Sequence, residues 1–118
     1  MNTRKPLLAG NWKMFKTADE TASFFLDFVP QVEETTGRDI VICPPFPALA
    51  TAVMACGRKV SIGAQNCHWE AQGAFTGEVS AEMIRATGAR YVIIGHSERR
   101  QYFGETEETV LKRTRAAL

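Results

Sequence analysis

The chain has 118 residues, of which 45% are hydrophobic and 23% charged, the composition of one soluble globular domain. Its net charge is +1 and its basic residues are scattered, so the chain has no basic patch for nucleic acid or an anionic membrane, and both partners are disfavoured. The longest apolar runs are far shorter than the roughly 20 residues of a membrane helix, and the first ten residues lack the apolar core of a signal peptide. A cytoplasmic protein is expected.

The first part of the chain predicts a strand followed by a helix. The apolar run Pro6–Gly10 is the first predicted strand. A helix begins at about Ala18, because Thr17 and Glu20 have the spacing of a capping box. The apolar residues that follow recur at helical spacing on one face: Ala18, Ala22, Phe25, Leu26, Val29 and Val32.

Proline and glycine predict where these elements stop. Pro30 should kink the first helix or end its regular part, since it lacks an N–H, and Gly37 suits the helix stop. The run Ile40–Cys43 is the second strand. Pro44 and Pro45 close it, because neither regular element continues through them.

The middle of the chain predicts a helix, a third strand and a long loop. The helix runs from about Pro47 to Cys56, with Gly57 as its terminator. The third strand is Val60–Ala64. Cys43, Cys56 and Cys67 are an odd number of cysteines without C-x-x-C spacing, so we expect reduced, buried thiols and neither a disulfide framework nor a zinc site.

The last part of the chain completes the pattern after the polar loop of residues 65–79. Ser80 caps a short helix that Gly88 terminates, and Tyr91–Gly95 is the fourth strand. A final helix runs from about Glu105 to the end, acidic in its first turn and basic later, as the helix dipole favours. Its predicted apolar stripe is Val110, Leu111, Ala117 and Leu118.

This alternation predicts an α/β fold: one (βα)4 unit with four parallel strands. The second and fourth strands are continuous apolar runs, which is typical of parallel strands buried on both faces. Function is expected just after the carboxyl ends of the strands, where strand ends and helix N-termini meet. The polar residues at those places are Asn11 and Lys13, then Gln65 and Asn66, then His96 to Arg100.

Lys13 and His96 leave their strands on the same side of the sheet and can point into one site. Lys13 offers a fixed positive charge for a phosphate or a developing oxyanion, and His96 a proton donor or acceptor near neutral pH. Spacing alone favours a solvated surface lysine at position 13. A loop histidine satisfied by backbone groups explains His96 equally well.

The other polar candidates also allow two interpretations. Glu98 could be a general base, but its basic neighbours favour an ion pair that orients one of them. Ser97 could be a nucleophile, although helix capping is favoured. Asn11 and Asn66 could bind a ligand, and for Asn66 a buried amide that holds a loop is favoured. The pair Arg99–Arg100 is expected to form salt bridges.

Four stretches together resemble the triosephosphate isomerase family, in order and at the expected separations. They are Ala9 to Met14, Gly63 to Asn66, Gly73 to Glu78 and Tyr91 to Arg100. These stretches are similar to the family's first, third and fourth strand-and-loop signatures, and the resemblance covers essentially the whole chain. Phe15 departs from the family pattern, which often has Asn there, but it follows the reactive residues.

The resemblance implies half of a TIM (β/α)8 barrel, with the helices on its outer face. It implies an enzyme of glycolysis and gluconeogenesis that interconverts dihydroxyacetone phosphate and glyceraldehyde 3-phosphate through an enediol. The enzyme would act as a homodimer and without a cofactor or metal.

The family's roles can be matched residue by residue. Lys13 matches the substrate-binding lysine, His96 the electrophile that polarises the carbonyl and shuttles protons, and Asn11 a substrate-contacting amide. Glu98 matches the carboxylate that positions the lysine. Thr76 matches the tip of a loop that enters a neighbouring subunit and braces its Asn11 and Lys13.

Triosephosphate isomerase is itself the established example of a catalytic histidine kept neutral by a helix N-terminus. Here that helix would start at about Ser97, which gives Ser97 a supporting place beside His96 and puts the positive end of the helix dipole against the imidazole.

A complete barrel of this kind needs roughly 250 residues. The family's proton-abstracting glutamate, lid loop and glycine-rich phosphate grip have no counterpart before Leu118. Since loss of general base catalysis costs roughly 10²–10⁴-fold, we expect this polypeptide alone to be inactive or nearly so.

Three classes of function remain open from the sequence. The chain could be the amino-terminal part of a triosephosphate isomerase, a stand-alone half-barrel with a structural role, or a module that binds phosphorylated ligands through Lys13 and His96. An open half-barrel leaves strand edges unpaired and its inner face uncovered. We therefore expect a folded chain to associate with itself to at least a dimer.

Overall fold

The computed structural model describes residues 3–118. Residues 1 and 2, which belong to the segment expected not to be a signal peptide, lie outside the described residues. The strands are β1 (Leu7–Asn11), β2 (Asp39–Cys43), β3 (Val60–Ala64) and β4 (Tyr91–Val92). The helices are α1 (Ala18–Val32), α2 (Leu49–Ala55), α3 (Ala81–Ala86), α4 (Ser97–Tyr102) and α5 (Glu107–Ala117). A 3-10 helix, Phe46–Ala48, leads into α2.

The four strands form one parallel sheet in the order β1-β2-β3-β4. Leu7 is opposite Asp39, Ile40 is opposite Val60, and Gly63 is opposite Tyr91. Each strand after β1 therefore pairs with the strand that precedes it in the chain. This is the (βα)4 arrangement that the sequence predicts.

The hydrophobic core lies between the sheet and the helices. Alternate strand residues face it, because successive side chains of a strand point to opposite faces. Its buried residues are Phe25, Ile42, Leu49, Ala52, Cys56, Val60, Ile62, Ala64, Cys67, Ile84 and Ala89. As predicted, all three cysteines are buried and free.

The predicted starts of α1 and α3 and two of the predicted stops are confirmed. The Thr17 hydroxyl accepts a hydrogen bond from the backbone N–H of Glu20, and the Glu20 carboxylate accepts one from the N–H of Thr17. Ser80 caps α3 in the predicted way. Gly57 and Gly88 follow α2 and α3 with φ angles of 70° and 98°, the left-handed conformation that ends helices.

The end of α1 differs from its prediction. Pro30 lies inside the helix, which continues to Val32, so it does not end α1. The proline lies in the last turn, where the helix has only two further residues to build beyond the missing N–H. Gly37 lies beyond the helix, in the turn before β2. It is therefore not the residue that stops α1.

The fourth strand is shorter and less buried than predicted. Only Tyr91–Val92 pairs as a strand, and the N–H of Ile93 makes one further bond to the carbonyl of Ala64. The burial expected on both faces holds for β2, in which residues 41–43 are buried, but not for β4. β4 is at the edge of the sheet and has one neighbouring strand.

The last helix begins two residues later than predicted, with Thr106 as its N-cap. The predicted apolar stripe is wrong at three of its four residues, since Leu111, Ala117 and Leu118 are exposed and only Val110 is half-buried. The residue that α5 buries is Arg113. Its guanidinium has polar partners in the interior, which apolar periodicity cannot reveal.

Candidate active site

Lys13 follows β1 in a strained backbone conformation. Its φ angle is +54°, in the left-handed region that costs a residue with a side chain of order 1–3 kcal/mol. The N–H of Lys13 donates a hydrogen bond of 2.9 Å to Oδ1 of Asn11. Asn11, the last residue of β1, thus holds Lys13 through its side-chain oxygen, which leaves the amide nitrogen able to donate to a ligand.

His96 is the N-cap of α4, and its Nδ1 accepts a hydrogen bond of 3.0 Å from the backbone N–H of Glu98. A ring nitrogen that accepts a hydrogen bond carries no proton, so this geometry requires a neutral imidazole with its proton on Nε2. The helix-capping interpretation of Ser97 is wrong. Ser97 is the first residue of α4, and the imidazole of His96 occupies the capping position instead.

Glu98 lies between the lysine and the histidine. Its Oε1 is 2.8 Å from Nζ of Lys13, and its Oε2 is 3.6 Å from Nδ1 of His96. The hydrogen bond and positive charge of Lys13 lower the pKa of the Glu98 carboxyl. A carboxylate that is held in this way is a weak base, so the geometry favours the ion-pair interpretation of Glu98.

Two arginines that follow Glu98 are paired, as expected from the sequence. Arg99 Nε contacts Oε2 of Glu105 at 2.5 Å, and Arg100 Nη1 contacts Oε1 of Glu107 at 2.5 Å. The Arg99 pair reaches into the interior, because the Glu105 side chain is only 2% exposed. These contacts anchor α4 to the segment that enters α5.

Glu105 also contacts Arg113, the buried cation of α5. The Nε of Arg113 lies 2.8 Å from Oε1 of Glu105, although the angle is not that of a hydrogen bond. Nη1 of Arg113 donates to Oδ1 of Asn66 and to the carbonyl of Cys67, at 3.2 and 2.8 Å. Asn66 is therefore the buried, loop-holding amide that the sequence favoured.

Thr76 lies on the long loop between β3 and α3 and is exposed. The loop is stiffened by ring stacking, with Phe75 on His68 at 4.5 Å and His68 on Trp69 at 4.2 Å between centroids. Among residues 3–118, Thr76 shares no hydrogen bond or ion pair with Lys13 or His96. The structure thus joins Asn11, Lys13, His96 and Glu98 by direct contacts and leaves Thr76 apart from them.

Sequence reasoning gave no role to Gln65, which the structure connects to this site. Its Nε2 donates to the carbonyl of Lys13 at 2.8 Å and to the carbonyl of Cys43 at 2.9 Å. The feature of the sequence that points to Gln65 is its position directly after β3, at the same sheet edge as Lys13 and His96.

Two kinds of structural feature are absent from the part of the chain that the structure describes. No group of three or more His, Cys, Asp or Glu side chains there is arranged to hold a metal ion. Within the same residues, no helix has the length and apolar character needed to cross a membrane.

Known proteins share both the sequence and the architecture of this chain. The family model described as "Triosephosphate isomerase" matches residues 6–118. A triosephosphate isomerase of Solibacter usitatus is 62% identical over 116 residues, which are 98% of this chain and 47% of that protein. One of Alkaliphilus metalliredigens is 56% identical over 98% of this chain and 46% of its own length.

A solved structure supports the same comparison. The crystal structure of triosephosphate isomerase from Bartonella henselae superimposes with a TM-score of 0.89 and 36% identity, over 97% of this chain and 47% of that chain. The sheet and its helices therefore match half of a TIM barrel. The chain spans about half the length of the curated relatives that it matches.

Proposed function

Because the chain belongs to the triosephosphate isomerase family, we propose that Asn11, Lys13 and His96 form the substrate-binding and proton-transfer part of a triose phosphate isomerase site. The observation that carries the proposal is the contact of Glu98 with both neighbours: its carboxylate holds the Lys13 ammonium, and its backbone N–H holds His96 Nδ1. The substrates are dihydroxyacetone phosphate and glyceraldehyde 3-phosphate, and the reaction is cytoplasmic.

Each side chain has a step in this reaction that its geometry supports. The Nε2 proton of His96 is donated to the substrate carbonyl oxygen as a base removes a proton from the adjacent carbon, which gives the enediol. The base then returns a proton to the carbon that carried the carbonyl. His96 takes a proton from the oxygen on the other carbon, which becomes the new carbonyl. Lys13 stabilises the negative charge of phosphate and developing oxyanion, and the amide of Asn11 orients the substrate.

The reaction also requires a base that removes the carbon proton, and none of Asn11, Lys13 and His96 has that role in the proposal. Oε2 of Glu98 lies 3.6 Å from Nδ1 of His96, but the ion pair with Lys13 lowers the pKa of Glu98 and makes it a poor base. A general base is worth roughly 10²–10⁴-fold. We therefore expect the polypeptide of residues 1–118 to be inactive or nearly so in a coupled isomerase assay.

A chimera tests the site in an active context. Residues 1–118 are joined to the remaining sequence of the Solibacter usitatus relative, which is 62% identical in the matched part. The chimera should be an active isomerase. Lys13→Met should abolish most activity, and His96→Gln should lower kcat by roughly 10²–10⁴-fold.

The matched control is Lys16→Met, because Lys16 is also a lysine with a positive φ angle but lies over the ring of Trp12. This variant should keep the activity of the chimera. Full activity of His96→Gln would refute the proposal. Binding of an enediol mimic without turnover by the chimera would favour a ligand-binding module instead.

A second candidate, a self-associating half-barrel with a structural role, is favoured by the open edges of the sheet. Leu7 and Tyr91, on β1 and β4, are 52% and 38% exposed, and a groove of about 610 Å³ runs beside Tyr91 and Leu118. Exposed apolar surface and unpaired strands favour association. We expect at least a dimer, and a monodisperse monomer in light scattering at micromolar concentration would contradict this.

A further inference from the structure

Gln65 connects the carboxyl ends of three neighbouring strands. It directly follows β3, and its side-chain amide donates to the carbonyl of Cys43, the last residue of β2, at 2.9 Å. The same nitrogen donates to the carbonyl of Lys13, beyond the end of β1, at 2.8 Å. The Cys43 carbonyl also accepts the N–H of Trp12 at 3.1 Å, so Gln65 extends an existing connection between β1 and β2.

Both backbone polar groups of Lys13 are bonded to side chains from strand ends. Its N–H is held by Asn11 and its carbonyl by Gln65. These two bonds enclose the residue whose φ angle is +54°. A left-handed conformation persists at a residue with a Cβ only when its surroundings hold it there, and these two side chains supply that restraint.

We propose that Gln65 is a positioning residue that holds the Lys13 backbone in its left-handed conformation and thereby keeps the ammonium group on Glu98. An amide suits this task because its NH₂ group has two protons for two carbonyl oxygens. A carboxylate has no N–H to offer and would be repelled by both carbonyls. The importance of this role for catalysis rests on the proposed function, in which Lys13 binds the substrate.

The test measures the lysine through its partner and does not require isomerase activity. In Gln65→Met the side chain keeps a similar length but loses both donors. Since the Lys13 ammonium lowers the pKa of Glu98, release of Lys13 should raise that pKa, measured by titrating the labelled Glu98 carboxyl in NMR spectra. Lys13→Met sets the largest rise that loss of the ammonium can cause.

The matched control is Gln31→Met, since the Nε2 of Gln31 donates to the carbonyl of Asp27 on the exposed surface of α1. This variant should leave the pKa of Glu98 unchanged. A folded Gln65→Met chain whose Glu98 pKa equals that of the unsubstituted chain would overturn the proposal. Failure of the isomerase chimera would not affect this result, so the two proposals are separable.

A second measurement covers the case in which Gln65→Met does not fold. In the unsubstituted chain, both side-chain amide protons of Gln65 should exchange with water more slowly than those of the exposed Gln72 and Gln101. Equal exchange rates would show that the bonds to Lys13 and Cys43 are not maintained, and would overturn the proposal without any variant.

Discussion

The backbone N–H of Glu98 donates to Nδ1 of His96 at 3.0 Å, and the carboxylate of the same residue holds Lys13. One residue therefore sets the protonated nitrogen of the histidine and the position of the lysine. The consequence is an imidazole that offers an N–H donor, and not a positive charge, to a ligand.

The first prediction concerns the tautomer of His96. Nitrogen-15 NMR of the neutral imidazole should show the proton on Nε2. His68 is an internal reference, because its Nδ1 accepts the N–H of Glu70 at 3.0 Å in the same way. A His96 spectrum with the proton mainly on Nδ1 would mean that the bond to Glu98 is absent in solution.

The second prediction concerns the buried carboxylate of Glu105. Glu105→Gln should destabilise the chain by about 3–5 kcal/mol, because it leaves the buried Arg113 cation without its counter-charge. Urea unfolding monitored by circular dichroism measures the change. The control is Glu107→Gln, whose side chain is 90% exposed in its pair with Arg100 and should cost at most about 1 kcal/mol. Equal costs for the two variants would contradict the buried network.

The contacts of Arg113 with Glu105, Asn66 and Cys67 show why the positions of helices and strands are easier to predict from the sequence than the packing of their side chains. Local signals such as the Thr17 capping box and Gly57 act within a few residues of the chain, so they can be recognised without the fold. The burial of Arg113 depends on Asn66 and Cys67, more than 40 residues away. A charged residue on a helix is expected in solvent unless such partners are known.

The candidate site was predictable to a similar extent. The family resemblance and the strand ends identified Lys13 and His96 at one edge of the sheet. The sequence pattern favours Ser97 as the N-cap of α4. The capping role of His96 depends instead on the turn between Gly95 and α4. The role of Gln65 depends on the backbone conformation of Lys13, which no residue pattern in the sequence specifies.

The third prediction concerns pH and Cys43. Burial raises the pKa of the Cys43 thiol from 9.0 to about 11. A raised pKa in the folded state means that stability is fully present below pH 9 and falls as the pH rises towards 11, because the unfolded thiol ionises first. The loss should be on the order of 2–3 kcal/mol. Cys43→Ala should flatten this part of the stability profile, and an unchanged profile would contradict the prediction.

The fourth prediction concerns Pro30 inside α1. A helix-interior proline is about 3 kcal/mol less favourable than alanine, while its rigidity in the unfolded chain returns up to about 1 kcal/mol. Pro30→Ala should therefore stabilise the chain by about 2 kcal/mol in thermal or urea unfolding. Pro47 is the control, since it lies in the first turn of a short helix, where no N–H partner is lost. A gain of equal size for Pro47→Ala would refute the explanation.

The order of the sheet also bears on how the protein is made. β2, β3 and β4 each pair with the strand synthesised just before them, over separations of 32, 20 and 28 residues from Leu7 to Asp39, Ile40 to Val60 and Gly63 to Tyr91. Within residues 3–118, these three pairings join consecutive strands, and short separations favour fast folding. From β1 to β4, the nascent chain can therefore add strands in order as it leaves the ribosome, and each new strand pairs with one that is already present.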